Sequence, residues 1–283
     1  MAHDHNHSGD GKLSIAIFIN ILLTIAQIIG GLLSGSLSLI ADALHNLSDA
    51  GAILIAIIAR RIGNKSANKI MTYGYKRAEI IGVLLNSVSL IIVGLYLIYE
   101  AIGKYFNPTP IDGWIVFWIA GIALVVDIAT ALITYSAGAK DNMNIKAAFI
   151  HNVSDALASI VVIVAGILII NFQLYIFDVL ATIGISIYVI YHGLILLKKC
   201  IMIIMQAVPD SISIEALQAA LENIEGVSSA KHIHAWQMDD KSIYMEAHML
   251  LSSHHHEQIK EASRNIMKSE FGISHSTLET KSI

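Results

Sequence analysis

Two matching pairs of potential metal donors interrupt otherwise apolar sequence. His45-Asn46-Leu47-Ser48-Asp49-Ala50 recurs about a hundred residues later as His151-Asn152-Val153-Ser154-Asp155-Ala156. A spacing of four brings His and Asp onto one helical face, one turn apart. Two such faces turned toward each other supply two imidazoles and two carboxylates, a tetrahedral set of two nitrogens and two oxygens that suits Zn²⁺ and accommodates Co²⁺ or Cd²⁺. Mg²⁺ and Ca²⁺ prefer all-oxygen shells, and Cu⁺ would lack its thiolates. The competing reading is that each pair is an internal hydrogen bond satisfying two polar groups in a helix bundle. Duplication of the device, and the cost of ionisable groups in apolar spans, weigh for one shared metal site of His45, Asp49, His151 and Asp155. Asn46, Ser48, Asn152 and Ser154 are expected to line the path or bond to backbone. Asp42, Asp127 and Asp178 are further acids in apolar surroundings, and their residue types alone do not separate a packing role from a supporting or proton-carrying one.

The elements that must position these residues are long apolar runs. The chain has 283 residues, 55% hydrophobic and 14% charged, with mean hydropathy +0.65, too apolar for an ordinary soluble domain. Six stretches have bilayer-crossing length, about 13–33, 37–58, 80–102, 114–135, 147–170 and 175–197. The paired motifs fall in the second and fifth. The polar leader carries histidines and acids rather than a basic region, so the first stretch is no signal peptide. A cytoplasmic N-terminus puts Lys12, Arg60, Arg61, Lys65, Lys69, Lys76, Arg77, Lys140, Lys146, Lys198 and Lys199 inside and only Lys104 outside. Both termini then lie in the cytoplasm. Connections 34–36 and 171–173 are short enough to make spans one and two, and five and six, antiparallel hairpins.

From Val208 the pattern changes to a helical segment 211–224 ended by Gly226, two strand-like runs 227–238 and 242–251, a helix 254–271 ended by Gly272, and a last strand 273–280. The fold class is therefore an α-helical membrane protein of six transmembrane helices followed by a small cytoplasmic α+β domain of order αββαβ. The domains are a His-rich cytoplasmic leader 1–12, a transmembrane domain 13–206 and a cytoplasmic domain 207–283. With so small a core, docking against a second copy would help to stabilise that domain. His232 and His234 share one strand face by alternation, and His248 lies on the neighbouring strand. The leader, with His3, His5 and His7, could collect zinc weakly. A lone cysteine, Cys200, sits among Leu196, Leu197, Ile201 and Ile203 as a buried or lipid-facing thiol. The net charge of −4 with no basic stripe argues against a nucleic-acid partner.

The run Gly35-Ser-Leu-Ser-Leu-Ile-Ala-Asp-Ala-Leu-His-Asn-Leu-Ser-Asp49 resembles the signature of the cation diffusion facilitator family, in its zinc-transporting branch. His151-Asn-Val-Ser-Asp155 is similar to the fifth-span counterpart, and Tyr73-Gly-Tyr-Lys-Arg-Ala-Glu79 to the cytoplasmic entry of the third span. The resemblance implies a homodimer that exports a divalent metal in exchange for protons through the paired His-x-x-x-Asp motifs, with Zn²⁺ as cargo and as a regulatory ligand. It implies that His at position 45 accompanies preference for zinc over cadmium. It also implies a cytoplasmic metal site whose ligands map onto His234, His248, one of His254–His256, taken as His255, and His275. Thr277 stands where the family has a carboxylate, with Glu279 on the same strand face as a substitute. Tyr73 and Tyr75 occupy the places of loop histidines in many relatives, so no metal site is expected in that loop. Two rivals remain: an intramembrane metal-dependent hydrolase, which would need a general base that no His-Glu-x-x-His run supplies, and a passive divalent-metal channel or sensor.

Overall fold

The computed structural model describes residues 7–136, 143–239, 242–252 and 254–282. Expectations for His3 and His5 in the leader and for Lys140 fall outside these residues. Six long helices come first: α1 His7–Ser34, α2 Leu37–Gly63, α3 Ala78–Phe106, α4 Gly113–Ser136, α5 Met143–Phe172 and α6 Ile176–Ile204. Among the described residues, five are long and apolar enough to cross a membrane, and α1 contributes the shorter apolar stretch Ile19–Ser34. Their side chains are distributed as lipid demands. Leu32, Leu33, Ile92, Val125 and Leu132 point outward at 61–73% exposure, while Thr24, Gln27, Ser87, Ser159, Thr182 and Ser186 are buried. Backbone polarity is satisfied within each helix, as a hydrocarbon surround requires. The chain is a multi-pass membrane protein.

Contacts divide the chain into two compact units, Met1–Leu54 with Asn86–Ile195, and Ile55–Leu85 with Leu196–Ile283. In the first, α4 packs along α5 and against α1. Close approach relies on small residues. A Cβ at Gly113 of α4 would lie 3.0 Å from the Gly166 carbonyl oxygen of α5, and one at Gly94 of α3 would lie 2.6 Å from Ile190 of α6.

The start of α2 is fixed from far away in sequence. After the turn at Gly35 (φ +73°), Asp178 of α6 accepts from Ser36 Oγ (2.5 Å), Ser38 Oγ (2.6 Å), and the backbone N–H groups of Leu37 (2.9 Å) and Ser38 (3.2 Å). A carboxylate there satisfies the otherwise orphaned first amides of the helix and favours its positive dipole end. Lys104 donates to the Gly35 carbonyl and closes the same turn. Asp178 is thus a helix cap that holds the element carrying His45 and Asp49.

The second unit contains the αββαβ domain: α7 Ile214–Glu222, β1 Val227–Gln237, β2 Ile243–Leu251, α8 His256–Phe271 and β3 Ile273–Ser282. The sheet order is β1-β2-β3, with β1 antiparallel and β3 parallel to β2. Leu217, Leu221, Met245, Met249, Leu251 and Met267 are fully or almost fully buried between sheet and helices. α7 starts three residues later than its periodicity suggests because Ser213 caps it, accepting from the Ala216 N–H at 3.2 Å. α8 stops at Gly272 in the left-handed conformation (φ +66°). Its first residue, His256, is tied to β3 through Thr280 (3.2 Å) and Ser282 (3.0 Å).

Candidate metal centre

The helices bring all four intramembrane donors together, each offering one atom within 4.8 Å of the others. The pairing is across helices rather than within them. His45 Nε2 lies 3.4 Å from Asp155 of α5 but 3.8 Å from its own Asp49. His151 Nε2 lies 3.2 Å from Asp49 of α2 but 3.5 Å from its own Asp155. This follows from running the same His-x-x-x-Asp motif in opposite directions on two neighbouring helices, which sets the His of each copy level with the Asp of the other.

Two observations separate an ion site from a pair of internal hydrogen bonds. Ligand atoms about 2.0–2.1 Å from a tetrahedral metal stand about 3.3 Å from one another, and the four contacts run from 3.2 to 3.8 Å. In addition, His45 Nδ1, His45 Nε2, Asp49 Oδ2 and Asp155 Oδ1 are buried without a hydrogen-bond partner. Buried polar atoms are normally paired, so donors that converge without bonding one another are shaped for a guest.

The two levels differ in access. His45 and Asp155 side chains are 9% and 11% exposed, whereas Asp49 and His151 are 36% and 42% exposed. The site is closed at the level nearer the Leu37 end of α2 and open at the level nearer its Gly63 end. Around it, Ser48 donates to Asn86 of α3 (3.4 Å), Asn152 donates to Thr134 of α4 (3.2 Å), and Asn46 donates to Gln27 of α1 (3.2 Å). The motif's neutral polar residues therefore bond between helices, and Ser154 bonds back to the Ile150 carbonyl (3.0 Å). Tyr188 of α6 borders His45 edge-on at 5.9 Å between ring centres. His192, absent from the expected set, packs at a tilt against Tyr188 with ring centres 4.5 Å apart. Its signal was available: it is one more ionisable residue in an apolar span.

On the exposed face of the sheet, one set of converging donors shares His234 with the expected ligands. His232, His234 and Glu246 each place a donor atom within 4.8 Å of the others. His248 adjoins them, with its ring 4.7 Å from that of His232 and its Nε2 3.4 Å from Glu279. His255 and His275 are not among the three. His255 stands at the N-cap of α8, and the His275 ring rests 5.1 Å from that of Tyr244. The reason is a bulge in β1 between Lys231 and His234, where His232 adopts φ +53° and turns its ring to 4.7 Å from His234. Glu246, opposite His234 in the ladder, then completes the cluster.

Comparison with known proteins finds relatives for both regions of the chain. The family description "Cation efflux transmembrane domain" matches residues 13–205, and "Cation efflux protein, cytoplasmic domain" matches residues 209–280. A "Cadmium, cobalt and zinc/H(+)-K(+) antiporter" of Bacillus subtilis is 35% identical over 99% of this chain and 91% of its own length. "Zinc transporter ZitB" of Pectobacterium atrosepticum is 31% identical over 99% of this chain and 88% of its own. "Metal cation efflux system protein CzcD" of Cupriavidus metallidurans is 28% identical over 98% of this chain and 88% of its own. These matches are to transporters, which sets aside the hydrolase reading. The chain belongs to the cation diffusion facilitator family, in the branch that includes the zinc transporters.

Proposed function

We propose that this protein exports Zn²⁺, and to a lesser degree Cd²⁺, Co²⁺ or Ni²⁺, from the cytoplasm in exchange for protons. It works as a homodimer in the cytoplasmic (inner) membrane, with both termini inside, and His45, Asp49, His151 and Asp155 carry the ion. The observation that supports this reading most is the cross-paired donor set, with contacts of 3.2 to 3.8 Å at the edge length of a tetrahedral zinc shell. Two carboxylates balance the charge of Zn²⁺, so the loaded site is formally neutral, which keeps its cost in the low-dielectric bundle small.

With the N-terminus inside, α2 runs inward, and the open Asp49–His151 level faces the cytoplasm. Zinc enters there and completes its shell with His45 and Asp155. An imidazole binds metal only when neutral, so protons and zinc compete for the same nitrogens. A more acidic outer medium therefore favours release outward, and an inward proton gradient drives metal out. The exposed cluster of His232, His234 and Glu246 is the regulatory zinc site of the cytoplasmic domain in this reading, in place of the set that included His255 and His275.

Zinc flux into proteoliposomes of the purified protein tests the transport reading. Flux should accelerate with an opposing proton gradient and vanish in Asp49→Ala or Asp155→Ala. Flux indifferent to the gradient would favour the passive channel, and wild-type flux in either variant would remove the assigned site.

A further inference from the structure

The bundle carries a third polar level. Beyond His45 and Asp155, on the closed side, the next turn of α2 presents Asp42, three residues before His45, and the next turn of α5 presents Ser159, four residues after Asp155. Asp42 is 1% exposed and Ser159 0%. Ser159 Oγ donates to Asp127 Oδ2 of α4 at 2.9 Å, and Asp127 is 5% exposed. Gln27 of α1, fully buried, donates to Asp42 Oδ2 at 2.6 Å and accepts from Asn46 at 3.2 Å. The other oxygen of Asp42, Oδ1, is buried with no hydrogen-bond partner.

A packing role accounts for part of this. The Gln27 bond ties α1 to α2, and the Ser159 bond ties α4 to α5. Neither explains why two carboxylates share one dry level with an oxygen left over, since an amide or hydroxyl would make the same ties at lower desolvation cost. A passing cation explains it. It would engage the free oxygen of Asp42. Carboxylate, amide and hydroxyl oxygens without imidazole hold Zn²⁺ less tightly than the mixed set one turn away, which suits a step that must release.

We propose that Asp42, aided by Asp127, receives the divalent metal as it leaves the His45–Asp155 level and relays it toward the Leu37 end of α2. The inference rests on the transport reading above and adds a residue to its exit route. Full-length protein tests it in two formats, zinc binding in detergent and flux in proteoliposomes. Asp42→Asn should bind zinc within about threefold of wild type, because the four ligands remain, yet transport it at least about tenfold more slowly. Asp42→Glu should restore much of the flux. Asp42→His, which offers nitrogen at the relay, should change the ranking of zinc, cadmium and cobalt in flux but leave their ranking in binding unchanged.

A packing residue would slow all metals alike and leave that ranking untouched, which would overturn the proposal. So would wild-type flux in Asp42→Asn, or one fewer proton released per zinc with an unaltered metal ranking, the mark of a proton carrier. Failure of the transport reading looks different: His45→Ala would then retain flux whatever stands at position 42.

Discussion

The unequal exposure of the two levels makes His45 and His151 unequal ligands, although their motifs match. Zinc sites built from four protein donors bind with about 10–16 kcal/mol, so an equal share is about 2.5–4 kcal/mol per ligand, or roughly 60- to 700-fold in affinity. His45→Ala should lose that full amount. Its level is the more buried, with side chains 9% and 11% exposed, and removing the imidazole takes from Asp155 its nearest partner. His151→Ala should lose less, about tenfold, because that side chain is 42% exposed and a water molecule can enter as the fourth ligand. Calorimetric titration of zinc into the detergent-purified variants at neutral pH reads both constants directly. Equal losses, or a larger loss for His151→Ala, would refute the two-level description of the site.

Replacing nitrogen by hard oxygen in His45→Asp should raise tolerance of cadmium or manganese relative to zinc, and an unchanged competition profile would mean that His45 does not touch the ion. Asp178→Ala takes the shared acceptor from two amides and two hydroxyls at the start of α2 and should cost about 2–4 kcal/mol, seen as a lower melting temperature together with weaker zinc binding. In the αββαβ domain, zinc at about a hundred times its dissociation constant should add about 2.7 kcal/mol to stability. Melting of the 207–283 fragment with zinc and with chelator checks this: Glu246→Ala should abolish the gain and His275→Ala should keep it, whereas equal melting of the unaltered fragment in both media would mark the histidines as merely solvated.

Local pattern made some of this legible and long-range pairing hid the rest. The His-x-x-x-Asp repeat is a statement about one helical face, and helical period alone delivers it. What that period cannot give is the partner, and the structure puts the shorter contacts between copies rather than inside them. Asp178 looked like one more acid in an apolar span, because the amides it caps lie some 140 residues earlier in the chain. The strands of the αββαβ domain could be read from alternation to within a residue or two at most ends. A bulge is invisible to alternation, however, so a regular pleat misplaces His232 and gives no reason to single out Glu246. His275 is a ligand only through resemblance to the family, and in this protomer its ring lies beside that of Tyr244.

The same antiparallel repeat bears on how such a site could serve two sides of a membrane. An ion held by His45 and Asp155 on one level and by Asp49 and His151 on the other sees nearly the same donors from either direction. The ligands therefore need not change for access to change. What breaks the symmetry is the material beyond each level: on one side an opening, on the other the Asp42–Gln27–Asn46 and Ser159–Asp127 bonds that join α1 to α2 and α4 to α5. A shift that parted those bonds while closing the gap beside His151 would turn the site over with its shell intact. The ion would then cross without being stripped of ligands midway, and the energetic demand of the cycle would fall on a few interhelical hydrogen bonds of about 0.5–1.5 kcal/mol each rather than on the metal–ligand bonds.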